Sequence, residues 1–258
     1  MLDLRELSDS LKELENEPEA FDTSVMGSPQ GHEIITRRAA AGLTGYSPAD
    51  VTALVEGVRR ADIGSGVIGF VGAMASQFAA NSQRSHALRR SVCQPLVQAL
   101  REIRGRLVEL HGQALLAESH GQRRAAMEWT GEALHLIQDS YSPAHTERVI
   151  GAGTRRPIKY IRYYKVGVVP TRPASRGAPL EHHVPKDPRD HVLGPGGRLK
   201  PEAVAATTAS RQFLQMMRRH LASPRGPSNR AELTRFMNQH LILSGSRTEP
   251  SAYYACRP

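Results

Sequence analysis

The recurrence of apolar residues at intervals of three and four constrains this chain more than any other feature. Leu88, Val92, Leu96, Leu100, Ile103, Leu107 and Leu110 form such a series, and residues so spaced share one face of an α-helix. The spacing predicts a long helix from about Ser82 to Ala117. The stretches "GHEIITRRAAAGL", "GQRRAAMEWTGEALHLIQDS", "PEAVAATTASRQFLQMMRRHL" and "NRAELTRFMNQHLIL" read as further helices. In "SPADVTALVEGVRRAD" Ser47 is placed as the N-cap and Pro48 at the first helical position, where a missing N–H costs nothing. No stretch sustains the alternation that a central sheet requires, and no internal repeat is visible. The expected fold is all-α, a single-domain helical bundle with a long irregular insertion at about 151–200. There the composition shifts to Gly, Pro, Arg and His around one β-prone run, "YIRYYKVGVV".

At 258 residues the chain can bury a substantial core. Residues 1–25 read as an acidic arm, a short amphipathic helix and a linker, ahead of a helical domain over 26–258. Eight acids between Asp3 and Asp22 stand against Arg5 and Lys12, a net of −6, so a total of +9 leaves about +15 on the rest of the chain. That excess suits an anionic partner such as a phosphodiester or a membrane surface. The arm reads first as a solvated surface helix and second as a cover for a basic site. Cys93 and Cys256 allow at most one disulfide and form no CxxC pair. The Leu-and-acid start lacks the apolar stretch of a signal peptide, and no run approaches the roughly 20 apolar residues of a membrane helix. The expectation is a protein soluble as synthesised, cytoplasmic or exported by a leaderless route.

The chemistry concentrates in "ALHLIQDSYSPAHTER". His135 and Asp139 are four apart, so on a helix both side chains reach a shared ion, and an imidazole with a carboxylate makes a suitable zinc pair. Past the helix end Pro143 restricts the turn, from which His145 can fold back. The H-x3-D spacing recurs at His183 and Asp187, while His32, Asp62 and His86 stand near predicted helix ends. Taken singly, His32 reads more readily as a cap, Asp62 as a helix-terminal turn residue and His86 as an exposed side chain. Their order adds what no one of them carries.

That order, His, Asp, His, then H-x3-D-x5-H, then H-x3-D, resembles the superfamily of zinc-dependent phospholipases C and single-strand-specific zinc nucleases. The resemblance runs from about Met26 to the helix ending near Leu221. It implies an all-helical fold and up to three zinc ions. His86, His135 and Asp139 would hold one, with Asp62 adjacent; Asp139 would bridge to a second, held also by His32; His145, His183 and Asp187 would hold the third. One position departs from the family: Met26, in "MGSPQGH", stands where the mature family chain begins with a tryptophan whose amino group and carbonyl complete a zinc site.

Such ions bind phosphate oxygens, lower the pKa of water towards neutrality and stabilise the departing alkoxide. Asp62 is the expected general base or water-orienting carboxylate. Arg84, Arg89, Arg90 and Arg148 could contact phosphate, although solvation at the surface is the commoner role. The "DSYSPAHTER" wording is similar to the phospholipase C branch, which implies a hydrolase of lipid degradation acting on phospholipid at a membrane surface. The aspartate of the last pair is similar to the nucleases, which keeps single-stranded nucleic acid as the alternative, with Tyr160, Tyr163 and Tyr164 as candidate stacking platforms. A basic helical binding module, without catalysis, is the reading from a different class.

Overall fold

The computed structural model describes residues 31–63, 83–91, 93–149, 156–164, 182–183, 192–194 and 197–245. The acidic arm, Met26 and Asp187 lie outside them. The described residues form a mostly helical, all-α architecture: α1 (Gly31–Ala40), α2 (Pro48–Ile63), a 3-10 turn (Gln83–His86), α3 (Leu96–Ser119), α4 (Arg123–Asp139), α5 (Pro201–Ala222) and α6 (Asn229–His240). Two short two-stranded sheets accompany them. β1 (Thr146–Arg148) pairs antiparallel with β2 (Ile158–Ile161), with a register shift between Glu147 and Arg148; β3 (Tyr163–Tyr164) pairs parallel with β4 (His182–His183). The described part of the 151–200 stretch thus supplies edge pairing and no layer of its own. No helix among the described residues is long and apolar enough to cross a membrane.

Helix α4 runs through the middle of the bundle, against α2 and α3 on two sides and α5 on another. Every residue from Thr130 to Asp139 is buried, so this half of the helix has no wet face. An all-round buried helix is ordinarily apolar; here Gln138, Asp139 and His135 are 0%, 1% and 0% exposed. Buried polar groups need partners, so this end of the helix marks the site. The crossing with α2 rests on absent side chains. A Cβ at Gly57 would run into the Glu128 carbonyl, and one at Gly131 into the Leu54 carbonyl.

The start of α2 follows its sequence. Ser47 Oγ accepts from the Asp50 N–H at 3.1 Å and Asp50 Oδ2 accepts from the Ser47 N–H at 2.9 Å, a reciprocal cap. The long helix expected from Ser82 is a correction: α3 begins at Leu96, after Pro95 at its N-cap with ψ 144°. Upstream, the described residues 83–91 make a 3-10 turn, and Ala87 leaves it at φ 51°. Leu88 is buried without being helical, so the apolar spacing continues through a turn that the backbone does not treat as helix. Within α3 the stripe holds, and Ile103, Leu107 and Leu110 are each at most 1% exposed; truncating Leu107 to Ala would cost about 2–5 kcal/mol.

Candidate metal centre

Five of the sequence-selected residues meet at the C-terminal end of α4. Asp139 is the hub. Its Oδ1 lies 3.1 Å from His32 Nε2, and its Oδ2 lies 2.9 Å from His135 Nε2, 3.3 Å from His86 Nδ1 and 3.7 Å from His145 Nδ1. All four imidazoles are buried; His86 at 7% and His145 at 6% retain the most exposure. His135 reaches the carboxylate by the helical i, i+4 spacing, and His32 does so from the first turn of α1. His145 arrives through the turn after α4, where its N–H donates to the Ser142 carbonyl at 3.0 Å.

Neighbouring segments fix these rings. The Arg89 N–H donates to the Arg162 carbonyl at 2.7 Å and the Arg162 N–H to the His145 carbonyl at 2.8 Å, which laces the segments carrying His86 and His145 together. The His86 carbonyl, aimed by the positive φ of Ala87, accepts from His145 Nδ1–H at 2.5 Å. His32 is oriented from inside the core. Gln138 Nε2 donates to Thr36 Oγ1 at 2.9 Å, so its Oε1 accepts from His32 Nδ1–H at 2.7 Å. In a neutral ring that leaves the lone pair of Nε2 facing Asp139 Oδ1. Two lone pairs at 3.1 Å repel, and the contact is favourable only with a proton or a cation between them.

The donor set fits a cation. His32, His135 and Asp139 each offer an atom within 4.8 Å of the others, and the separations of His135 and His32 from the nearer carboxylate oxygen, 2.9 and 3.1 Å, approach the roughly 3.3 Å edge of a tetrahedron built on Zn–N bonds of about 2.0–2.1 Å. The three residues together could hold a metal ion. Burial opposes ionisation of Asp139, yet the imidazoles of His135, His145 and His32, with the hydrogen bond from His135, outweigh it and hold the carboxyl well below the ordinary carboxylate range. The group is thereby ionised at neutral pH.

The other selected residues have different fates. Asp62 lies in the last turn of α2 and His183 in β4, where its backbone pairs with Tyr164; their side chains, like the whole of Asp187, are outside the described residues. The four arginines considered for phosphate are committed to the protein. Arg84 pairs with Glu109 at 2.9 Å and Arg90 with Glu102 at 2.7 Å. Arg89 is fully buried, giving Nε to the Ile161 carbonyl at 2.6 Å and Nη2 to Tyr160 Oη at 2.7 Å. Arg148 donates to the Ser140 carbonyl at 2.6 Å. Solvation is therefore not the role of Arg89, and the buried Tyr160 is no stacking platform. Sequence reasoning missed Gln138, whose type gives no metal signal; its place directly before Asp139 was the available clue. Comparison with known proteins returns no matching family model, no matching curated protein and no matching solved structure.

Proposed function

We propose that the chain is a zinc-dependent phosphodiester hydrolase, with phospholipid as its first candidate substrate and single-stranded nucleic acid as the alternative. The observation that carries this reading is the buried Asp139 carboxylate with His32, His86, His135 and His145 around it. His32, His135 and Asp139 would hold an ion, and His86 and His145 stand 3.3 and 3.7 Å from the carboxylate oxygen that His135 approaches. Bound zinc would supply Lewis acidity towards phosphate oxygens and a water acidic enough to attack at neutral pH. Gln138 fixes the His32 tautomer, and the surrounding core keeps competing water from the donors. Asp62 as proton acceptor, His183 and Asp187 as further ligands, and an ion count of up to three come from the sequence order alone. The phospholipase preference rests on the wording of "DSYSPAHTER", and the basic charge serves either substrate.

Burial of the donors favours a second reading, a closed structural zinc site in a helical binding module, since catalytic sites keep a position open. Metal analysis of the purified full chain, with parallel assays on phosphatidylcholine vesicles and single-stranded DNA before and after zinc removal, separates the two. Hydrolysis lost on chelation and restored by zinc supports the enzyme. Stoichiometric zinc without hydrolysis of either substrate supports the structural site. A chain that neither retains nor rebinds zinc is neither.

A further inference from the structure

Away from the histidine cluster, the segment leading into β2 and the first turns of α5 enclose a cavity of about 160 Å³. Val204, Ala205 and Ala209 form its apolar wall; Thr208, His240 and Arg156 are its polar lining. The buried Nε–H of Arg156 has no acceptor. Beside it Arg148 is equally unneutralised. Its guanidinium donates to the Ser140, Arg156 and His240 carbonyls at 2.6, 2.6 and 3.0 Å and to Ser140 Oγ at 3.0 Å, and its Cζ stacks 3.9 Å from the Tyr141 ring centroid. All of these partners are neutral. Arg59, Arg60, Arg84, Arg90, Arg106, Arg123, Arg124 and Arg219 have carboxylate partners, whereas neither Arg148 nor Arg156 has one among the described residues.

Other features point the same way. Helix α5 meets this cavity along one side, through Pro201, Val204, Ala205, Thr208 and Ala209. His240 contributes a neutral wall, one nitrogen 2.7 Å from Tyr141 Oη and the other 2.7 Å from Gln212 Oε1. No carboxylate of the described residues lines the cavity. A cavity well below the roughly 300 Å³ of an ordinary ligand pocket admits a headgroup of a few heavy atoms, with an apolar stem along Val204, which is 50% exposed at the rim.

We propose that this cavity is an anion site, separate from the histidine cluster, in which Arg156 receives a phosphate or carboxylate headgroup. A guanidinium is suited to both through paired N–H donors. The site does not depend on metal in the histidine cluster, but Arg148 grips Ser140, the residue after Asp139, and so ties the two regions mechanically.

The test is titration of the full-length protein with inorganic phosphate and, separately, with hexanoate at constant ionic strength, followed by calorimetry and by the Arg156 Nε–H resonance. Saturable binding of either probe is expected, with a shift of that resonance and at least a tenfold loss of affinity in Arg156→Met. Val204→Trp should give a similar loss by filling the rim while leaving every charge in place. Phosphate binding alone would assign a phosphoryl headgroup, and hexanoate binding alone a carboxylate. Absence of saturable binding by both probes overturns the site, as does equal affinity in both variants, which would place the anion elsewhere.

Discussion

Two buried histidine clusters sit in this bundle, and they differ in where the carboxylate stands. Around Asp139 four imidazoles converge on one carboxylate. Between α3, α5 and α6 the groups stand in series: His220 Nε2–H donates to Glu232 Oε2 at 3.3 Å, and His220 Nδ1 accepts from His111 Nε2–H at 2.9 Å, with the rings edge-on at 88°. Each proton in the series has one acceptor, so neutral rings satisfy it. The convergent cluster has no such solution, because His32 already gives its Nδ1–H to Gln138 and presents a lone pair to a carboxylate. The same residue types thus make a hydrogen-bonded string in one place and, in the other, a group that needs a proton or a cation between its members, and convergence alone separates them.

The largest effect expected to test this contrast is loss of metal. Asp139→Ala should abolish zinc retention, a fall of more than about 100-fold in affinity by loss of the shared ligand, while Glu232→Ala leaves zinc content unchanged by elemental analysis. Equal losses in the two variants would erase the distinction. Next, Gln138→Met should weaken zinc by about 10–100-fold, the usual cost of removing a ring's orienting partner, as read by competition with a chromophoric chelator. Retained affinity would mean that packing alone orients His32.

Acid probes the series instead. Burial, then the neighbouring His220, pushes the His111 imidazole down to about 4. A histidine lowered from about 6.5 leaves the unfolded chain binding more protons below that pH. Its contribution to stability is therefore complete above pH 6.5 and is lost as the pH falls towards 4, on the order of 3 kcal/mol. Denaturant midpoints should show this loss, and His111→Gln should flatten it; an unchanged pH slope would remove His111 from the account. The smallest effect is at Ala87, whose φ of 51° is one that glycine adopts freely. Ala87→Gly should change stability by less than about 1 kcal/mol and leave zinc affinity intact, whereas Ala87→Val should lower both by displacing the His86 carbonyl.

Much of the bundle was legible in the sequence because helices declare themselves locally. Ser47 with Asp50 is a cap in the order of residues, and α4 to α6 follow their apolar spacing. The helix expected from Ser82 failed for a local reason as well: the stripe overrode Pro95, although a proline marks a boundary for the residue before it. In the site, ligand type and order were readable, and five of the eight selected residues meet at Asp139. Gln138 and Arg89 were not, because their roles depend on partners that only the fold brings near: Gln138 hydrogen-bonds to Thr36, 102 positions away, and Arg89 to Ile161, 72 away.

The contact between Gly57 and Gly131 with the opposing helix backbone bears on timing. Two helices seated backbone to backbone have no adjacent register to slide into, since the next residue along would bring a side chain where only hydrogen fits. His135 and Asp139 are therefore set at fixed heights once α2 and α4 have docked, whether or not an ion is bound. Uptake of an ion should be governed by access and dehydration rather than by folding of the chain around it. A chelator should consequently empty the centre while the helices stay assembled, and refilling should proceed in one fast phase at a rate proportional to the free ion.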